Sequence, residues 1–238
     1  MRRKPPRPRV FVPTPAELAM LDELDVLIEM SGAVRCVDAE SLQALPPRVL
    51  QMWAVQNGIY AFPTTQLVTF LGLLIGGEVV NGARLGGNRT IEIGAGNGGL
   101  AKALGIPATD SMIQADPTMR SVYGAFRQAP VGYGSHVMPL EALAAVEMFQ
   151  PHTVVASYVT QKWLPGDTEG FTYGVDEVAL LRRVRSYILI GSDSVHSHKR
   201  IMALPHRTIR APWLVTRTEH PRDNAIWIWE GSGADATD

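Results

Sequence analysis

Residues 90–100 read TIEIGAGNGGL, and the segment AKAL follows them. A short apolar run that enters a glycine-rich turn and then a helical pattern is typical of the first strand, turn and helix of a βαβ unit. Glycines in such a turn let the backbone approach a ligand closely at the carboxyl end of the strand. The segment therefore predicts an α/β fold with a ligand site at this turn.

The chain around this turn alternates short apolar runs with helical patterns, as expected for a parallel sheet. Parallel strands are expected near residues 90–93, 106–109, 131–133, 153–158 and 186–191. Residues 213–218 and 225–229 flank a turn-rich segment, and we expect them to form an antiparallel hairpin. The expected sheet is therefore mostly parallel, with two antiparallel strands at its C-terminal end.

The chain before residue 83 has a different, mainly helical pattern. Residues 14–17 read TPAE, which is typical of a capping box at the start of a helix. Helices are expected near residues 14–30, 46–57 and 64–74. The expected organisation is a disordered basic arm at 1–13, a helical extension or lid at 14–82, an α/β domain at 83–230 and a disordered tail at 231–238.

The composition is that of a globular chain with one large core. Of the 238 residues, 46% are hydrophobic and 19% are charged, which excludes disordered, collagenous and disulfide-scaffold classes. The single cysteine, Cys36, cannot form an intramolecular disulfide or a multi-cysteine zinc site, so we expect a cytoplasmic protein without a bound metal. The most apolar window, 67–75, is about half of the ~20 residues that a membrane-spanning helix needs, so no membrane association is expected.

Glu92 distinguishes this glycine turn from a simple dinucleotide pattern. Gly94, Gly96 and Gly99 satisfy GxGxxG, which alone indicates a dinucleotide site only weakly. A carboxylate inside an apolar strand is costly to bury without a partner, and a cationic or donor-rich ligand can be that partner. The segment resembles the first motif of the class I S-adenosylmethionine-dependent methyltransferases, in which an acidic residue of an apolar strand precedes GxGxG. Glu92, Gly94, Gly96 and Gly98 match that motif.

The resemblance implies a Rossmann-like, doubly wound fold with S-adenosylmethionine as the cofactor. It implies that the cofactor lies against the turn residues Glu92, Gly94, Ala95, Gly96, Asn97 and Gly98. It further implies that an acid after the second strand binds the ribose hydroxyls, and Asp110 fits this role better than Asp116 does. Asp110 could instead cap the next helix. Glu141 fits the acid beside the adenine amino group, or it is an exposed residue at a helix start.

For methyl transfer, we expect the residues that contact the acceptor at the end of the fourth expected strand. Displacement at a sulfonium needs mainly proximity and alignment, and a base only when the acceptor must lose a proton. Ser157 is expected beside the cofactor, and Tyr158 could orient or deprotonate the acceptor. Lys162 and Trp163 on the next loop, and Tyr60 from the helical extension, are candidate substrate contacts. Tyr158 and Trp163 could equally pack the loop against the sheet.

Two histidines follow the fifth expected strand. His196 or His198 is the best available general base, because histidine titrates near neutrality. Both could equally be ordinary surface histidines. If either is a base, it should lie at the same edge of the sheet as the glycine turn.

Basic residues concentrate in two parts of the chain. Residues 2–9 contain five basic residues and no acid, and residues 182–222 contain nine basic residues against Asp193 and Glu219. Together they could bind nucleic acid, or they could be a solvated surface. The leading interpretation is a methyltransferase acting on a small molecule or a nucleic acid. The alternatives are a non-catalytic nucleic-acid-binding module on the same fold and an NAD(P)-dependent oxidoreductase.

Overall fold

The structure, a computed structural model, describes residues 13–28, 36–76, 78–80, 83–85, 89–163 and 174–233. The helices are α1 (Pro15–Leu27), α2 (Ala39–Gln43), α3 (Pro47–Gln56), α4 (Thr65–Leu74), α5 (Gly99–Leu104), α6 (Pro117–Ala125), α7 (Ala142–Phe149), α8 (Glu177–Leu181) and α9 (Asp193–His196). The strands are β1 (Glu78–Val80), β2 (Ala83–Leu85), β3 (Thr90–Ile93), β4 (Ala108–Asp110), β5 (Val137–Pro139), β6 (Thr153–Ser157), β7 (Ser186–Ser192), β8 (Arg207–Ile209) and β9 (Asn224–Glu230). The expected basic arm, apart from Pro13, and residues 234–238 of the expected tail lie outside the described residues.

The larger sheet has seven strands in the order β5-β4-β3-β6-β7-β9-β8. The first five strands are parallel to one another. Strand β9 runs antiparallel to both β7 and β8. Strands β1 and β2 form a separate antiparallel pair, which the sequence did not predict. The expected α/β class and mostly parallel sheet are confirmed.

Most expected elements lie within about two residues of their observed bounds, but the strand expected at 131–133 is wrong. Strand β5 of this unit begins at Val137 instead. The backbone N–H of Val131 donates to Oε1 of Gln114 at 2.9 Å, so a side chain rather than a neighbouring strand satisfies it. Residues 131–133 are therefore a loop beside the sheet.

The strand expected at 213–218 is also wrong, because these residues form no strand ladder with β9 and bond to the helical layer. The backbone N–H of Phe62 donates to the Val215 carbonyl at 3.0 Å, and the Arg217 N–H donates to the Tyr60 carbonyl at 3.0 Å. The antiparallel partner of β9 is β8, which has the sequence RTI. The C-terminal hairpin therefore exists, with a first strand that is earlier in the chain than predicted.

Side-chain alternation along the strands builds two cores, one on each face of the sheet. Val154 and Ala156 of β6 pack in one cluster with residues of α7 and α8. Val155 of β6 packs in the other cluster with residues of α4 and α5. Both faces of the central strands are consequently buried, as their almost continuous apolar sequence requires.

The N-terminal helices enclose a third apolar cluster that contains Leu24, Trp53 and Phe62. The predicted capping box of α1 is present, since Glu17 N–H donates to Thr14 Oγ1 at 3.2 Å and Thr14 N–H donates to Glu17 Oε2 at 2.8 Å. Val215, from the segment before β9, belongs to the same cluster, so this layer packs directly on the α/β core. No helix among the described residues is long and apolar enough to cross a membrane.

Candidate functional site

A cleft opens beyond the carboxyl ends of β3 and β6, where the order of the parallel strands reverses. Chain connections leave β3 toward β4 on one side, while β6 begins the other half of the sheet. Open α/β sheets bind ligands in the crevice at this position. The cleft is lined by residues 94–97 of the glycine turn, the end of β4, residues 157–160 at the end of β6, and residues 58–63 of the helical layer. Gly98, a predicted cofactor contact, is not part of this lining.

Two positions of the glycine turn require glycine, because their backbone conformation and close packing leave no room for a side chain. Gly94 and Gly98 have φ of 57° and 72°, which L side chains adopt only with strain. A Cβ on Gly94 would lie 2.4 Å from Val159 Cγ1, and a Cβ on Gly98 would lie 2.4 Å from His136 Nε2. The turn therefore packs closely against the loop after β6 on one side and against His136 on the other.

Asp110 connects the end of β4 to the glycine turn. Its Oδ2 accepts from Gly96 N–H at 3.0 Å, and its Oδ1 accepts from Met112 N–H at 2.9 Å. Burial raises the pKa of Asp110, and these backbone hydrogen bonds oppose that increase. The competing residue, Asp116, caps α6 through Thr118 N–H at 2.8 Å. Of the two candidate acids, only Asp110 lines the cleft.

Glu92 lies on the floor of the cleft, beneath the glycine turn. It is 1% exposed, and its Oε2 accepts from the N–H of Ala101 in the first turn of α5 at 2.8 Å. Burial, with a smaller contribution from the nearby charge of Asp110 and against the effect of the Ala101 hydrogen bond, raises the pKa of Glu92 to about 8. The side chain thus fixes α5 relative to β3, and it is mainly protonated at neutral pH.

Tyr158 forms a wall of the cleft directly after Ser157. It has a φ of 55°, and its hydroxyl donates to Thr216 Oγ1 at 2.9 Å. Its ring lies 5.8 Å from the ring of Tyr60, which also lines the cleft. Burial raises the pKa of Tyr158, so the hydroxyl stays protonated at neutral pH and can orient a bound molecule.

Sequence reasoning missed further tyrosines of the cleft. Tyr123 on α6 and Tyr133 on the loop before β5 both line it. The Tyr60 and Tyr123 hydroxyls are 3.0 Å apart, and the Arg217 guanidinium lies 3.7 Å from the centroid of the Tyr60 ring. No sequence pattern predicted these residues at the site, because their positions depend on how α6, the loop before β5 and the segment before β9 pack.

No model of a known protein family matches the chain, and no curated protein matches it. The geometry of the cleft is therefore the basis for assigning its chemistry. It combines a glycine turn, two buried carboxyl groups and a tyrosine-rich wall at one edge of a parallel sheet.

The two candidate histidines do not line the cleft. His196 is buried, and its Nδ1 accepts from Ser192 N–H at 3.1 Å, while Nε2 has no partner among the described residues. Burial lowers the pKa of His196 to about 3. His198 is exposed on the segment after α9. His196 instead packs against the edge of Tyr158, at 5.0 Å between ring centroids.

Three other candidates also lie outside the cleft. Glu141 is exposed at the start of α7, which agrees with the alternative of an exposed helix-start residue. Lys162 and Trp163 line a separate depression. Trp163 Nε1 donates to Asp176 Oδ2 at 3.3 Å, and Arg200 lies 5.1 Å from the centroid of the Trp163 ring. Among the described residues of the loop after β6, those that line the cleft are 158–160 and Val175.

Several basic residues of 182–222 pair with acids within the protein. Arg210 pairs with Asp193 at 2.7 Å. Arg207 pairs with Glu230 at 3.6 Å, and buried Lys199 pairs with Glu177 at 2.8 Å. These three charges are partly or fully balanced, whereas Arg217 lies against the tyrosines of the cleft.

Proposed function

We propose that the protein is an S-adenosylmethionine-dependent methyltransferase with a Rossmann-like, doubly wound fold. The observation that carries the proposal is the glycine turn at the point where the strand order reverses, with Glu92 beneath it and Asp110 hydrogen-bonded to it. A nucleoside with a charged side chain suits this site, because the turn permits close backbone approach and the acid accepts hydrogen bonds.

The residues of the cleft fit the chemical parts of this cofactor. The carboxylate of Asp110 accepts hydrogen bonds from two backbone N–H groups and from the Tyr133 side chain, which leaves one of its about four acceptor positions for a ribose hydroxyl. The ring of Tyr158, which follows Ser157 at this edge, offers an electron-rich surface that a sulfonium cation prefers. Ser157 lies at the same strand end and adds a hydroxyl to the lining.

The bound cofactor supplies an electrophilic methyl group, so the chain has to hold and align the acceptor. Tyr158 is suited to this task, because its hydrogen bond to Thr216 fixes the hydroxyl beside the cleft. That hydroxyl is protonated at neutral pH, so we assign it an orienting role and not that of a base. Neither His196 nor His198 receives a role in this proposal, since neither reaches the cleft.

Calorimetric titration tests the cofactor assignment. The wild-type protein would be titrated in parallel with S-adenosylmethionine, S-adenosylhomocysteine and NAD, and we expect binding of the first two only. Gly96→Arg should abolish this binding, because Gly96 lines the cleft and has a φ of 56°. Gly124→Arg is the matched control, since Gly124 is exposed on α6 and a Cβ added there would meet nothing within 4 Å.

Two results would overturn the assignment. The first is binding of NAD without S-adenosylmethionine, which would favour an oxidoreductase. The second is undiminished affinity in a Gly96→Arg protein that retains the wild-type thermal transition, which would move the ligand away from the turn. An oligonucleotide titration of Gly96→Arg addresses the nucleic-acid-binding module, whose affinity should be salt-dependent and insensitive to this substitution.

A further inference from the structure

A cation and three phenols meet beside the cleft, and we call this group the Arg217 corner. It consists of Arg217, Tyr60, Tyr123 and Tyr158. The Arg217 guanidinium lies 3.7 Å from the centroid of the Tyr60 ring, and its backbone N–H donates to the Tyr60 carbonyl at 3.0 Å. The next residue toward the N-terminus, Thr216, accepts the hydrogen bond of Tyr158. Backbone and side chain together therefore hold the guanidinium in place.

The positive charge of this corner has no counter-ion among the residues that the structure describes. Arg217 is partly buried, and it takes part in none of the ion pairs among the described residues. A guanidinium presents donors in a planar fork that matches a carboxylate or a phosphate. Because stacking on Tyr60 already orders this fork, an anion that binds there loses little affinity to side-chain ordering.

The tyrosines add a hydrogen-bond donor next to this charge. The Tyr60 and Tyr123 hydroxyls share one hydrogen bond at 3.0 Å, which uses one of their two hydrogens. Neither hydroxyl makes another hydrogen bond among the described residues, so one O–H remains free to donate. Burial raises the pKa of Tyr123, and the phenol therefore remains a donor at neutral and alkaline pH.

The cleft thus has two chemically different ends. Glu92 and Asp110 place carboxyl groups beneath and beside the glycine turn, while the three tyrosines of the Arg217 corner line the other end and Arg217 lies against the ring of Tyr60. We infer that the Arg217 corner binds an anionic group of the methyl acceptor, so that the acceptor is a planar molecule with a carboxylate or phosphate. This inference rests on the proposed function, which places the cofactor at the acidic end.

The same chemistry could come from the carboxylate of the cofactor itself, and the experiment separates the two sources. Phenyl phosphate is the probe, because it combines a ring with a phosphate. It would be titrated calorimetrically into the protein alone and into the protein saturated with S-adenosylhomocysteine. We expect binding in both cases, with an affinity about tenfold lower in Arg217→Gln, equivalent to about 1.4 kcal/mol.

Matched variants control for charge and folding. Arg222→Gln removes an exposed charge of the same region and should leave phenyl phosphate affinity unchanged. Arg217→Lys keeps the charge but loses the planar fork, so its affinity should lie between those of the wild type and Arg217→Gln. All variants should retain the wild-type thermal transition.

Mutual exclusion of phenyl phosphate and S-adenosylhomocysteine, with weaker S-adenosylhomocysteine binding in Arg217→Gln, would overturn the inference and assign the corner to the cofactor carboxylate. Absence of phenyl phosphate binding, or equal binding by wild type and Arg217→Gln, would also overturn it. If S-adenosylhomocysteine does not bind the wild type while phenyl phosphate binding still depends on Arg217, the proposed function fails and only the anion site remains.

Discussion

At the scale of single residues, Gly98 has no room for a side chain, whereas Gly124 does. Gly98 has a φ of 72°, and a Cβ there would lie 2.4 Å from His136 Nε2 and 2.7 Å from Val137 Cγ2. We expect Gly98→Ala to lower the free energy of unfolding by about 2–4 kcal/mol, because left-handed strain and overpacking add. Gly124→Ala fills open space on α6 and should raise it by about 0.5–1 kcal/mol.

Urea denaturation of both variants checks this prediction. Helix content before denaturation should remain that of the wild type, since neither change removes a helical hydrogen bond. Equal stability of Gly98→Ala and Gly124→Ala would contradict the close packing of the glycine turn against His136.

Glu92 makes the stability of the protein depend on pH. Its pKa in the folded protein, about 8, exceeds the ordinary value of 4.5, so the folded state binds more protons than the unfolded state between these values. The free energy of unfolding should therefore fall as the pH rises from about 5 to about 8. Glu92→Gln should remove this part of the decrease, because the amide oxygen can still accept from Ala101 without becoming charged.

Thermal or urea denaturation at several pH values measures this effect, which is on the order of a few kcal/mol. Glu141→Gln, an exposed change at the start of α7, is the control and should leave the pH profile unaltered. If Glu92→Gln shows the same decrease as the wild type, the buried carboxyl group is not its source.

The sequence predicted the cleft residues that depend on local backbone structure. Gly94 and Tyr158 directly follow the first and fourth parallel strands and Asp110 ends the second, so periodicity and the glycine motif were enough to place them at one edge. Tyr123 and Arg217 could not be found this way. Their positions depend on how α6 and the segment before β9 pack, and single-residue patterns do not report that packing.

At the scale of elements, a buried ion pair connects α8, β7 and the loop after β6. Lys199 Nζ donates to Glu177 Oε1 at 2.8 Å and to the Val159 carbonyl at 2.7 Å. The Tyr187 hydroxyl donates to the same carboxylate oxygen at 2.8 Å. Since Val159 packs against Gly94, this cluster helps to set the distance between the two sides of the cleft.

Removal of one partner should leave a buried charge without compensation. We expect Lys199→Met to lower the free energy of unfolding by about 3–5 kcal/mol, and Lys199→Met combined with Glu177→Gln to cost less than the sum of the single changes. A double-mutant cycle in urea measures this coupling. Strictly additive losses would show that the pair contributes no interaction energy.

Two elements show why strand prediction failed in parts of the chain. Residues 213–218 are apolar enough for a strand, yet their backbone groups bond to the helical layer through Phe62 and Tyr60. Strand β8, with the sequence RTI, has mostly exposed side chains and forms only because β9 offers an edge. Partner choice is a tertiary property, so apolar pattern alone assigned the hairpin to the wrong segment.

At the scale of the whole molecule, the helical layer and the sheet should unfold together. An antiparallel bridge joins Ala61 to Thr216, and Val215 is buried in the cluster of the helical layer. Because of these contacts, the helical layer buries part of its apolar surface against the segment before β9. We expect urea transitions followed by far-ultraviolet circular dichroism and by tryptophan fluorescence to coincide.

The double variant Trp53→Phe, Trp213→Phe removes the tryptophans that pack in the cluster of the helical layer, while Trp229 continues to report on the sheet. Its fluorescence transition should still match its own circular dichroism transition. Two separated transitions would instead show that the layer at the cleft is an independently folding lid.

Strand β9 occupies an interior position of the sheet, between β7 and β8, although its residues are translated after both. During synthesis, one edge of β7 therefore remains without a hydrogen-bonded neighbour until residues 224–230 have left the ribosome. An open edge next to apolar side chains is a site of aggregation. The nascent chain therefore passes through a stage in which the edge of β7 is exposed to aggregation.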